Sequence, residues 1–158
     1  MIWRTSSARA EHLRFEEFAI GQVFVTGTRT LHEAEIINFA STWDKQSFHL
    51  DPVAAEQSIF GGLIASGFHT LLVAFDLIIE TAIWTEISQG SPGIEDLRWL
   101  KPVRSGDTLR VRLEVADIRT STSRPDRGYI TWDHTITNQA GDVVMTYRSV
   151  LICARASS

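Results

Sequence analysis

The segment from Gly67 to about Ser88, GFHTLLVAFDLIIETAIWTEIS, constrains the fold more than any other part of this 158-residue chain. Its Leu, Ile, Val, Phe and Trp residues recur on nearly every side of a 3.6-residue helix, so no single polar face is left for water. Asp76, Glu80 and Glu86 interrupt it at intervals too short for a bilayer span, which makes it a buried helix of a soluble protein. Such a helix needs cover on most of its surface, and a strongly curved sheet wrapped around it provides that.

The rest of the chain supplies the sheet. Val23 to Arg29 (VFVTGTR) alternates and is β-branched, predicting a first strand; Gly93–Leu100, Thr108–Arg119, Gly128–Asn138 and Asp142–Ala154 predict four more. Asn138-Gln139-Ala140-Gly141 is a hairpin signal, and STSRPDRG over 121–128 is a polar loop. Between the first strand and the central helix, Thr30-Leu31-His32-Glu33 has the form of a capping box. Ile36, Ile37, Phe39, Ala40 and Trp43 keep helical spacing after it, until the polar cluster Asp44–Ser47 ends the helix. A loop through His49 follows, and Asp51 and Pro52 then cap and open a short helix. The expected class is α+β, one domain over 1–158 with residues 1–14 as an N-terminal arm, and an antiparallel sheet around a long central helix.

Composition excludes several functions. A net charge of −4 without any basic block lacks the footprint of a nucleic-acid binder. Cys153 is the only cysteine, so neither an intrachain disulfide nor a multi-cysteine metal cluster can form. It is expected to be a buried, inert thiol in a reducing compartment. The N-terminus offers no apolar run suited to a signal sequence, and the chain is expected to be cytoplasmic, with no membrane partner.

Asp44 and His49 carry the chemistry this sequence suggests. Five residues apart, they would lie on different sides of a continuous helix, and converge only if the chain turns between them. A carboxylate at a helix C-terminus meets the negative end of the dipole, and burial there raises its pKa toward base strength. An imidazole titrates near neutrality. Together the two can hold a water molecule and move two protons. The spacing alone equally suits capping or turn roles. Gly61, Gly62 and Gly67 flank the start of the central helix, where free N–H groups and glycine admit a carbonyl oxygen: a candidate oxyanion hole, or else close helix-to-sheet packing.

The runs Asp44-Lys45-Gln46-Ser47-Phe48-His49-Leu50-Asp51 and Phe60-Gly61-Gly62-Leu63-Ile64-Ala65-Ser66-Gly67, with Leu97-Arg98-Trp99 and Pro102-Val103-Arg104-Ser105-Gly106-Asp107, resemble the signature of MaoC-like acyl dehydratases and (R)-specific enoyl-CoA hydratases. The resemblance covers roughly residues 15–155. It implies a hotdog fold, a homodimer or dimer of dimers, and catalysis by Asp44 and His49. The Gly67 N–H would donate to the thioester oxygen, with Gly62, Ala65, Ser66, Gln46 and Phe75 as further substrate-binding positions. The implied reaction is reversible hydration of a trans-2-enoyl thioester. It uses no metal or redox cofactor, and CoA or a carrier protein is the acyl carrier. Gln46 and Ser47 stand where the family has Asn and Pro, and Phe75 stands where some hydratases place a helper Ser, narrowing the acyl tunnel.

Other residues have plainer readings. His69 is expected to be a satisfied core histidine, and Trp84, Trp99 and Trp132 are core or interface anchors. Asp76 and Glu80 are the acids a hotdog thioesterase would use, which is one rival reading. A non-catalytic acyl-thioester-binding subunit of a heterodimeric dehydratase is another. Lys101, Arg104, Arg124 and Arg127 are candidates for CoA phosphates, although exposed loop charges are usually just solvated.

Overall fold

A computed structural model describes residues 12–156; most of the N-terminal arm expected over 1–14 lies outside them. After a single 3-10 turn at Phe15–Glu17 come β1 (Val23–Thr30), α1 (Glu33–Trp43), α2 (Ser47–Leu50), α3 (Pro52–Glu56) and α4 (Gly67–Glu80). The remaining strands are β2 (Ile94–Trp99), β3 (Thr108–Thr120), β4 (Arg127–Thr137) and β5 (Val143–Ala154). One five-stranded antiparallel sheet results, in the order β1-β3-β4-β5-β2. Strand β2 reaches the far edge because α4 lies between it and β1 in sequence, so the chain crosses the sheet before pairing Ile94 with Ser149. The hairpin turns where expected: Gly141 takes a positive φ of 81°, and the Asn138 side chain accepts from the N–H groups of Ala140 and Asp142.

Alternation decides what each strand buries. Leu109, Val111, Leu113 and Val115 of β3 point inward, as do Ile130, Trp132, His134 and Ile136 of β4 and Met145, Tyr147, Leu151 and Cys153 of β5. They pack on Val73, Ala74, Leu77 and Ile78 of α4, with Trp132 meeting Phe18, Phe24 and Trp84 in an aromatic cluster. Each such buried side chain stabilises the fold by about 1.5–3 kcal/mol. Cys153 is buried, and burial pushes its thiol up to about 12, so it is inert at neutral pH.

Four local expectations need correction. The capping box is shifted by two residues: His32 is the N-cap of α1 and the Glu35 carboxylate accepts its N–H, while Thr30 ends β1 and bonds the Thr108 hydroxyl across the strands. The loop through His49 is a one-turn helix, α2. The central helix stops at Glu80 rather than near Ser88, because Thr81 folds its hydroxyl onto the Ile78 carbonyl and Ala82 adopts a left-handed φ of 60°. Ile83, Trp84 and Ile87 then return to the core through turns. Finally, the sheet covers only one side of α4: Phe68, Leu72, Phe75 and Ile79, at i, i+4, i+7 and i+11, form an exposed apolar stripe. No helix among the described residues is long and apolar enough to cross a membrane.

Candidate active site

Asp44 and His49 converge because the chain breaks between them. Asp44 is the C-cap of α1, with φ −149° and ψ 75°, and the extended Gln46 then turns the chain into α2, which carries His49 inward. The Asp44 Oδ2 and His49 Nε2 atoms lie 3.2 Å apart, with His49 almost wholly buried and Asp44 mostly so. His49 Nδ1 is 2.7 Å from the Ile64 carbonyl oxygen. A carbonyl only accepts, so Nδ1 carries a hydrogen and Nε2 is the nitrogen left to exchange protons. That backbone partner was invisible in the sequence.

The Asp44 carboxylate is held by several donors. Gln46 Nε2 donates to Oδ1 at 2.8 Å and the Ser66 hydroxyl donates to Oδ2 at 2.7 Å. Burial by itself raises the Asp44 pKa, as expected from sequence, but the bonds from Ser66 and Gln46 and the adjacent His49 outweigh it. The net shift is downward, and the expectation of a pKa raised toward base strength is corrected.

Gly67 is the first residue of α4, and no acceptor among the described residues takes its N–H. A Cβ at this position would run into the Trp99 indole well inside van der Waals contact, so only glycine allows the strand to cover the helix start this closely. The Trp99 ring, expected to be a core or interface anchor, is half exposed and forms a wall of the site. A bulge in β2 carries it there, with Asp96 at φ 52° between the pairs Glu95–Arg148 and Arg98–Thr146. No period-2 pattern signals such a bulge.

A cavity of about 500 Å³ joins these groups. Asp44, Gln46, His49, Ala65 and Gly67 line it, together with apolar walls from Phe48, Phe60, Phe68, Trp99 and Leu100, and with Lys101 beside them. Lys101 pairs with Asp142 at 3.0 Å. Three expected substrate-binding positions lie elsewhere. Ser66 is fully buried beneath the wall, where its hydroxyl meets Asp44 rather than the cavity. Gly62 packs near the Arg104 guanidinium. Phe75 is half exposed on the α4 stripe, with its ring 6.5 Å from Trp84, and does not narrow this cavity.

The other acids and histidines sit apart. Asp76 pairs with Arg29 at 3.1 Å, and neither it nor Glu80 lines the cavity. His69 is buried and stacked on Phe39, but its Nδ1 lacks a hydrogen-bond partner among the described residues, so it is a core histidine without being a satisfied one there. Arg124 and Arg127 also lie off the cavity lining. Among the described residues, no group of three or more His, Cys, Asp or Glu side chains is placed to hold a metal ion.

The model of the MaoC like domain matches residues 15–135. The chain is 39% identical over 100 residues to Protein MaoC of Klebsiella aerogenes, a match covering 63% of this chain and 29% of that longer protein. Among solved structures, the MaoC-like dehydratase from Rhodospirillum rubrum superposes with a TM-score of 0.85 at 36% identity, covering 92% of this chain and 99% of that one. The R-hydratase PhaJ1 from Pseudomonas aeruginosa superposes at 0.67 with 26% identity, covering 92% and 88%. The architecture is the hotdog fold of these MaoC-like neighbours. With three quarters of its residues inside the matched span and 92% of it superposing on a MaoC-like dehydratase at 36% identity, this chain belongs to the MaoC-like dehydratase domain family.

Proposed function

We propose that this protein is a hydro-lyase that reversibly adds water to a trans-2-enoyl thioester, giving an (R)-3-hydroxyacyl product. One observation carries the reading: a carboxylate and an imidazole 3.2 Å apart open onto the cavity that Gly67, whose N–H has no acceptor among the described residues, also lines. Water held by the pair lies within reach of a β-carbon whose thioester oxygen rests on that N–H. As the water oxygen bonds C3, Asp44 accepts a water proton and negative charge moves to the thioester oxygen, where the helix start stabilises it. The water proton passes from Asp44 to His49 Nε2 across their 3.2 Å contact and from Nε2 to C2, leaving Asp44 ionised and Nε2 without a hydrogen, as they began. A carboxylate with a depressed pKa suits this relay because it does not retain the proton. The scheme uses no metal or redox cofactor, and CoA or a carrier protein bears the acyl group.

The working unit in this reading is a homodimer. Phe68, at the start of the exposed α4 stripe that continues through Leu72, Phe75 and Ile79, meets Trp99 at the end of the edge strand β2 with ring centroids 5.6 Å apart, and Ile94 of β2 and Leu100 just after it are also exposed. An apolar face beside an unpaired strand edge favours burial against a second copy.

Incubation with crotonyl-CoA tests the activity. Enoyl absorbance should fall with no free thiol, and Asp44→Asn should abolish the change. Thiol release with the double bond intact would instead support the thioesterase reading, which the Arg29-paired Asp76 does not favour. Turnover appearing only when a second subunit is supplied would support the heterodimeric one.

A further inference from the structure

We propose that Ser66 is a positioning residue that ties the carboxylate of the acid/base pair to the start of the central helix. This inference rests on the hydration reading of the site. Ser66 is fully buried and immediately precedes Gly67 as the N-cap of α4. Its hydroxyl oxygen accepts the Phe68 N–H at 3.3 Å and its hydrogen goes to Asp44 Oδ2 at 2.7 Å. One side chain thus closes the helix whose first residue lines the cavity and orients a carboxylate that lines the same cavity. The chain of bonds continues from Asp44 through His49 to the Ile64 carbonyl, two residues before Ser66, so the loop 64–66 holds both ends of the pair.

The geometry also accounts for Phe75. That helix position lacks a hydroxyl and lies off the cavity, and Ser66 delivers a hydroxyl to Asp44 from the helix cap instead. No other hydroxyl among the described residues bonds the carboxylate; its remaining partners are the Gln46 amide and the one titratable neighbour, His49. Ser66 makes no contact with the cavity, so it acts through Asp44 and not on substrate.

The test titrates Asp44 by the chemical shift of its side-chain carboxyl carbon, in wild type, Ser66→Ala and Ser66→Thr. Crotonyl-CoA hydration is measured across pH in parallel. Loss of the hydroxyl removes a bond that favours the ionised carboxylate, so the Asp44 midpoint and the acid limb of the rate should both move to higher pH in Ser66→Ala. The kcat should fall about ten- to a hundred-fold, the worth of a hydrogen bond to a charged group, with KM within two-fold. Ser66→Thr should restore both. Ser66→Gly, nearly as good an N-cap, should repeat the Ala result should Ser66→Ala fold poorly. An Asp44 midpoint unmoved in both hydroxyl-free variants, or a defect that Thr does not rescue, overturns the proposal. A shifted midpoint in a protein whose wild type hydrates no enoyl thioester would keep the Ser66–Asp44 tie and overturn the hydration reading alone.

Discussion

His134 makes this fold sensitive to acid, and the size of the effect can be worked out. Its ring is buried on the inner face of β4, stacked on Tyr147 with centroids 4.0 Å apart, and Nε2 pairs with the Ser149 hydroxyl at 2.9 Å. Nδ1 is buried with no hydrogen-bond partner among the described residues, so no bond compensates a charge on the ring. Burial therefore lowers its pKa from 6.5 to about 3, against a smaller opposing pull from Asp133. The folded state binds the proton less well than the unfolded state throughout that window. The stability linked to His134 is complete above pH 6.5 and is lost as pH falls toward 3. The loss amounts to about 2 kcal/mol by pH ~5 and about 5 kcal/mol at the lower limit, a large share of the roughly 5–15 kcal/mol that holds a domain folded. Urea unfolding at neutral pH and at pH ~5, for wild type and His134→Phe, measures it. The Phe variant leaves Ser149 unpaired at both pH values and His69 unchanged, so these effects cancel in the comparison. Wild type should lose about 2 kcal/mol more than the variant between the two pH values. An equal loss in both proteins would refute the assignment.

Three further outcomes follow from particular contacts. Gly67→Ala sets a methyl into the Trp99 indole and should depress crotonyl-CoA turnover, and adding Trp99→Ala should recover thermal stability, as a melting curve of the double variant would show. Thr26→Val should cost about 1–3 kcal/mol in urea unfolding, because the buried Val111 N–H loses the Thr26 hydroxyl that accepts it at 3.0 Å beside the β1 bulge. Leu72→Asp places a charge in the middle of the exposed α4 stripe and should yield a smaller species than wild type by sedimentation, with little change in secondary structure by circular dichroism.

Periodicity made most of the fold legible. The alternation in β3, β4 and β5, the Asn138–Gly141 turn and the cap at Asp51–Pro52 are local signals, and each element lies within a residue or so of its expected place. The end of the central helix was not legible, because Thr81 and Ala82 are ordinary helix residues whose stop depends on Trp84 and Ile87 finding room in the core. Nor was the exposure of one side of α4. An all-round apolar pattern states that a helix needs cover, not whether its own sheet or another chain provides it.

The site divides the same way. Asp44, His49 and Gly67 were readable as residue types at suggestive spacings, because a carboxylate, an imidazole and a glycine at a helix start carry recognisable chemistry wherever they occur. The tertiary structure alone decided how they act. It set the His49 tautomer through a backbone oxygen at Ile64, reversed the direction of the Asp44 pKa, and moved Ser66 from the cavity to the carboxylate. Those outcomes depend on distances of about 3 Å between segments far apart in the chain, and hydrogen bonds that short are fixed by packing and not by sequence pattern.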